Sequence, residues 1–456
     1  MSHGALSRPA AVAWLMRRLR AAPHAPAPPQ DMNTAGAAEP SSLADWTIII
    51  QEAVRHGVHL LLAEQGPALS APNYVMRWLA AETAANARRN ALLSAELNAI
   101  LVAAAQVELI PFKGAHFLLE PRSYPRPEVR PLADLDLLAR PAQIADLRRV
   151  LKELGYDEEP RTTWKHLSFV KPGNRQMASF SAGDPNNPRR VEIHTALSED
   201  FLGLRLDLTA AAWAHSQPAG AAPARRLPTW LLFLHLAAHA SQDVWERKAR
   251  LLHLADLQRV WQQFTRSEIG IIAGACGAPD RWFEAQGLPL DDHLTAARLG
   301  VARLEPRLLL PGLTLLESAF PAALPAGLTT ALAAPLQPAL RAWLSRLDLA
   351  EVSLSNPAPR RLTDNLRWTN GPIERLRALR RLLLPDRYGL LGSRFPRLVS
   401  SPFYPLAYPL HLAFLGGWLL RRLRRRGQRA DGSLHQRMLD DLARRLTAEA
   451  GPPASG

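Results

Sequence analysis

The chain has 456 residues, of which 47% are apolar, and a formal net charge of +14. That length and apolar content support two or three domains with a large core and exclude global disorder. The single cysteine, Cys276, excludes an intramolecular disulfide and a cysteine-based zinc site, and it fits a reducing, cytoplasmic setting.

Residues 1–42 read as a disordered lead-in, because 21–42 are rich in Ala and Pro with little to bury. The short apolar stretch Ala10–Met16 precedes Arg17, Arg18 and Arg20, the reverse of the order in a secretory signal. Residues 43–105 form an N-terminal helical segment. Apolar residues recur at helical spacing from Trp46 to Leu62, and a long helix is predicted over 75–105 after Pro72, with Arg88, Arg89 and Asn90 on a polar face.

Residues 106–200 differ. Glu108–Phe112 reads as a strand ending at Lys113-Gly114, and Ala115–Leu119 opens a helix. Pro121, Pro125, Pro127 and Pro131 mark a long loop. Leu132–Leu138 is a strand, and Ala142–Leu154 a helix that Gly155 terminates. His166–Val170 and Val191–His194 are further strands, separated by turns at Pro172-Gly173-Asn174 and Asp184–Pro188. The predicted fold is α+β and mostly helical: a small mixed-sheet core between N- and C-terminal helical regions.

Residues 201–345 return to helix, with Trp230–Ala240 and Ala249–Phe264 the strongest segments. Residues 346–456 form an Arg-rich C-terminal segment. Residues 360–429 hold 16 Arg, no Lys and three acids (Asp364, Glu374, Asp386), which accounts for nearly all of the net charge. Phe403–Leu420 is apolar, but Pro405 and Pro409 leave eleven uninterrupted residues, against the roughly 20 that a bilayer requires. No transmembrane helix is predicted. With Arg421–Arg429, the segment is suited to peripheral contact with anionic membrane or nucleic acid.

The chemistry concentrates at Asp134-Leu135-Asp136. A strand points alternate side chains to one face, so the two carboxylates project together. They repel unless one is protonated or a cation lies between them. Mg²⁺ suits such a pair, since it binds a few carboxylates and completes its shell with waters and phosphate oxygens. Glu192, on the strand Val191–His194, supplies a third carboxylate. This is the equipment of a metal-dependent phosphoryl or nucleotidyl transferase. His194 shares a strand face with Glu192, and Lys165-His166 borders the same region. His235 and His239 stand four apart on one helix face, but residue 236 is Leu rather than the Glu a metalloprotease requires. They read as structural or pocket residues. Asp243 and Asp256 read as salt-bridge partners of Arg247 or Arg250.

The order of these motifs resembles the uncharacterised nucleotidyltransferases of the minimal, DNA polymerase beta-like superfamily. The resemblance spans about residues 43–425. It rests on Phe112-Lys113-Gly114, Tyr124-Pro125, Arg130–Leu138, Leu154-Gly155-Tyr156, His166 and Val191–His194, then on Leu234–His239, Leu254–Leu257 and Leu382–Pro385. It implies transfer of a nucleoside monophosphate from a nucleoside triphosphate to a hydroxyl or phosphate acceptor that the sequence does not identify. Asp134, Asp136 and Glu192 would hold Mg²⁺ and be the catalytic residues. Lys113, Gly114, Arg130 and His194 would contact the nucleotide. A cytoplasmic, bacterial protein is the expected setting. One departure stands out. Many nucleotidyltransferases have Gly-Ser at the turn, whereas Gly114 is followed here by Ala115. That raises the alternative of a non-catalytic nucleotide-binding or adaptor protein. A membrane- or nucleic-acid-binding protein acting through residues 360–429 is the other alternative.

Overall fold

Period-two alternation builds the sheet at the centre of the chain. In the computed structural model, five strands, β1 (Leu109–Pro111), β2 (Asp134–Ala139), β3 (Asp157–Glu158), β4 (His166–Val170) and β5 (Arg190–His194), pair in the order β1-β2-β5-β4-β3. The structure describes residues 6–20, 39–160, 166–179, 181, 183–201, 204–219, 224–301, 304–321, 323–356, 368–385, 391, 395–399, 401–424 and 434–450. The β2–β5 pair is parallel and the other pairs are antiparallel, so the sheet is mixed. The register sets Asp136 opposite Glu192 and Leu138 opposite His194.

The helices that enclose the sheet are α1 (Arg8–Arg20), α2 (Leu43–Arg55), α3 (His59–Ala63), α4 (Asn73–Ala103), α5 (Gly114–Leu119), α6 (Ile144–Glu153), α7 (Thr209–His215), α8 (Thr229–Glu246) and α9 (Leu251–Trp261). One sheet face is apolar. Leu135, Leu137, Leu167, Phe169, Val191 and Ile193 pack there with Leu93, Leu97 and Ile100 of α4 and with Leu147 and Leu151 of α6. The other face carries Asp134, Asp136, Glu192 and His194 and looks toward α8 and α9. Phe112, at the end of β1, meets His235 of α8 edge-on at 5.3 Å between ring centroids.

Two expectations change. The apolar run from Trp46 to Leu62 is two helices rather than one, because Gly57 takes φ 72° between α2 and α3 and a side chain there would press on Leu252 at 3.1 Å. The lead-in is also not uniformly unstructured. Residues 8–20 form α1, with Trp14 and Leu15 fully buried. Trp14 stands edge-on to Trp46 at 5.5 Å, and its indole N–H donates to Glu39 at 3.1 Å. The stripe Ala11, Trp14, Leu15, Leu19 has helical spacing, but so short a helix depends on tertiary packing for its stability. The Ala- and Pro-rich residues 21–38 lie outside the described residues.

At the other end, the helix Leu434–Ala450 returns to pack on α2 and α4, burying Leu442 and Leu446. Among the described residues, no helix is long and apolar enough to cross a membrane. Within the basic stretch Arg421–Arg429, residues 425–429 lie outside the described residues.

Candidate active site

The site begins where β1 ends. Lys113 has φ 48° and ψ −126°, a backbone that costs a residue with a side chain on the order of 1–3 kcal/mol. Such strain persists only where packing fixes it, and Gly114 shows how it is fixed here. A Cβ on Gly114 would stand 2.1 Å from Leu132 Cδ1 and 3.0 Å from Arg130 Nη1. Its missing side chain is therefore explained by close packing of the turn against the loop before β2. Gly114→Ala is expected to destabilise the protein by about 1–3 kcal/mol, the usual cost of overpacking, which urea unfolding would measure. Ala115 is fully buried in the apolar cluster on the far side of the sheet. A hydroxyl at that position would enter the core, not the cleft.

The strained turn delivers Lys113 to the carboxylates. Its Nζ donates to Asp136 Oδ1 at 2.9 Å, and His194 Nε2 lies 2.8 Å from the same oxygen. An ionised carboxylate only accepts, so His194 donates from Nε2. Burial alone would raise the Asp136 carboxyl, but Lys113 and His194 outweigh it and hold the group well below the usual carboxylate range. Its neighbours are compensated less fully. Burial and the Asp136 charge push Asp134 up to about 6. Burial with the Asp134 and Asp136 charges pushes Glu192 up to about 8. Glu192 lies 3.3 Å from His166 Nε2 and 3.8 Å from His194 Nε2. The sheet thus brings Asp134, Asp136, Glu192, His194 and Lys113 to one face, with more negative charge than Lys113 can neutralise. The three carboxylates do not converge on one point. Among the described residues, the sets whose ligand atoms lie within 4.8 Å of one another are His166/Glu192/His194 and His239/Asp243/His253. Mutual repulsion and the Lys113–Asp136 pair account for the spread.

Arg130 is engaged elsewhere. Its Nε and Nη2 donate to Asp256 at 2.9 and 2.7 Å, both groups are buried, and Tyr124 donates to the same carboxylate at 2.6 Å. Asp256 therefore pairs with Arg130 across 126 residues, not with Arg247 or Arg250. Asp243 pairs with His253 at 2.7 Å.

Arg89, read from the sequence as part of a polar face, is buried. Its guanidinium donates to the carbonyls of Leu132, Ala133, Asp184, Asn187 and Pro188 at 2.8 to 3.2 Å. These carbonyls lie on the chain entering β2 and β5, so one side chain sets the approach of both acidic strands. Asn86 and Asn90 of α4 add bonds to the carbonyls of Glu128, Pro127 and Arg130. The sequence signal for Arg89 and Asn90 is the unbroken polar triplet Arg88-Arg89-Asn90, which is too wide to lie wholly in solvent on a helix flanked by apolar turns.

A cleft of about 530 Å³ lies between the sheet and α8–α9; Asp134 and Asp136 line it, whereas Glu192 and His194 are not among its lining residues. Lys113, Asp134, Asp136, Arg190, His239 and Arg250 are among its walls. That size suits a nucleotide-scale ligand.

A mixed sheet with acids on adjacent parallel strands, and a cleft closed by helices, fits a nucleotidyltransferase domain. The model of the uncharacterised nucleotidyltransferase family matches residues 42–269, half of the chain, and the protein belongs to that family. The match takes in the whole sheet and α8 and α9. Residues 270–425, to which the motif resemblance extends, lie beyond it. Comparisons with curated proteins and with solved structures found no match.

Proposed function

We propose that the protein is a Mg²⁺-dependent nucleotidyltransferase that moves a nucleoside monophosphate from a nucleoside triphosphate to a hydroxyl or phosphate acceptor. The observation that carries this reading is the grouping of three carboxyls on one face of β2 and β5. Burial and mutual repulsion raise both Asp134 and Glu192, and a dication fits that grouping while hard oxygen donors favour Mg²⁺. Asp134, Asp136 and Glu192 would hold the ion. A bound Mg²⁺ would neutralise phosphate charge and ease ionisation of the attacking hydroxyl.

The protein's own groups divide the remaining work. His194 fixes the orientation of Asp136. Lys113, paired with Asp136, would set its ammonium beside a bound triphosphate. Arg130, tied to Asp256, acts by positioning the turn rather than by reaching phosphate. Glu192 receives the acceptor proton. The burial of Ala115 on the apolar side of the sheet supports the catalytic reading over the non-catalytic one.

The raised carboxyls give a direct test. Metal binding requires ionised carboxylates and expels protons. Both Asp134 and Glu192 are raised, so Mg²⁺ binding is expected to release protons and affinity to rise with pH through the range in which they ionise. Calorimetry in two buffers of different ionisation enthalpy measures the release. Glu192→Gln should reduce it, and proton-neutral binding by wild type would contradict the assignment.

A second activity is favoured by a separate observation. Of the fourteen exposed large apolar residues among those described, nine lie between Ile373 and Phe414, within the Arg-rich segment. Exposed apolar side chains among arginines suit the surface of an anionic bilayer. Salt-sensitive sedimentation with phosphatidylglycerol vesicles is expected, reduced at least about tenfold by Leu410→Glu with Phe414→Glu. Equal sedimentation of wild type and variant would dismiss it.

A further inference from the structure

We propose a second metal site, for a transition-metal dication of the zinc class, formed by His239, Asp243 and His253 on the wall of the cleft facing the sheet. His239 and Asp243 are four residues apart on α8, so they share a face one turn apart. His253 lies in the first turn of α9 and points back at them, with its ring centroid 5.2 Å from that of His239. One ligand atom from each residue lies within 4.8 Å of the others. A tetrahedral ion with bonds of about 2.0 Å sets its ligands about 3.3 Å apart, so small side-chain rotations close the difference.

Three observations separate this cluster from an ordinary ion pair. First, two imidazoles from different helices gather around one carboxylate, a mixed nitrogen and oxygen donor set; Asp243 Oδ2 is 2.7 Å from His253 Nδ1. Second, His239 Nδ1 is held by Glu199 Oε1 at 3.0 Å. A carboxylate on that nitrogen fixes the proton there and leaves Nε2 as the donor to a metal, the outer-shell arrangement that orients zinc-ligating histidines. Third, the three side chains keep 24%, 14% and 24% of their surface exposed and border the cleft. A fourth coordination position is thus open to the cavity, as in catalytic rather than structural zinc sites.

The donor set selects the ion. Two imidazole nitrogens and one carboxylate suit zinc and its neighbours, whereas Mg²⁺ and Ca²⁺ favour oxygen. The site is therefore chemically distinct from the one assigned to Asp134, Asp136 and Glu192 and does not depend on that assignment. Arg250 borders the same cavity. The open position would take a water or an anionic oxygen, phosphate or carboxylate, that Arg250 helps to hold.

Zinc titration of the full-length protein, read by calorimetry and by metal content after dialysis, tests the proposal. Wild type is expected to retain one equivalent. His253→Ala and Asp243→Asn are expected to weaken binding at least about 100-fold, and Glu199→Gln by about 10- to 100-fold. His166→Ala disrupts the other His/Glu cluster and is expected to retain the equivalent. Cobalt loaded into His166→Ala should give the visible absorption of a four-coordinate site with two imidazoles, a result that stands even where His253→Ala fails to fold. The proposal is overturned if folded wild type retains no zinc, or if His166→Ala loses the equivalent.

Discussion

Asp134→Asn and Asp136→Asn are each expected to reduce the proposed nucleotidyl transfer by at least about 10³-fold, on the order of 4 kcal/mol of transition-state stabilisation, yet to shift stability in opposite directions. The Asp134 carboxyl is raised by burial and by Asp136, so its ionisation above about pH 6 works against the metal-free fold. Asparagine removes that cost, and Asp134→Asn in EDTA at pH 7.5 should melt at or above wild type. Asp136 is the reverse case. Lys113 and His194 hold its carboxyl low, so its charge stabilises the fold above the unfolded carboxylate range, and that contribution is lost as pH falls through the folded value. Asp136→Asn leaves Lys113 without its closest partner and should melt below wild type. Calorimetric melts with pyrophosphate release measure both effects. Parallel shifts in stability, or residual transfer near wild type, would contradict the account.

Arg89→Met is the largest stability change expected from one side chain. The guanidinium satisfies five carbonyls on the two segments that enter β2 and β5, three of them in fully buried bonds. Methionine keeps the volume and removes every bond. Each buried polar group left unpaired costs about 1–3 kcal/mol; allowing for relaxation, a total loss of at least about 4 kcal/mol is expected in urea unfolding. Arg89→Lys should recover little of it, because a single ammonium cannot span five acceptors arranged around a planar fork. If some Arg89→Met remains folded at low temperature, its Mg²⁺ affinity should also fall, since the strands carrying Asp134 and Glu192 lose their shared anchor.

The two changes mark what was legible in the sequence and what was not. Asp134-Leu135-Asp136 and Val191–His194 alternate so regularly that their shared faces follow from strand geometry alone, and the register between them then sets Asp136 beside Glu192. The mostly helical α+β architecture around a small mixed sheet was legible for the same reason. Arg89, Asn86 and Asn90 were not. On α4 they look like solvent-facing polar residues, and only the chain segments brought to them from 37 to 99 residues away reveal them as buried anchors. Arg130 and Asp256 show the same limit, because a pair 126 residues apart has no local signal. Within α1, Trp14 is a core residue only because α2 brings Trp46 against it. The His239, Asp243 and His253 cluster was not legible: the sequence paired His239 with His235 and Asp243 with a nearby arginine, and only the packing of α9 on α8 brings His253 to them.

The central claim is that the acidic face of β2 and β5 binds a nucleoside triphosphate through Mg²⁺. Equilibrium binding of each of the labelled triphosphates, with and without Mg²⁺, to wild type and to Asp134→Asn with Asp136→Asn tests it most directly. The account predicts Mg²⁺-dependent binding of at least one triphosphate by wild type, and its loss in the folded double variant. Absence of binding to every triphosphate by folded wild type, or equal binding by the double variant, would contradict it.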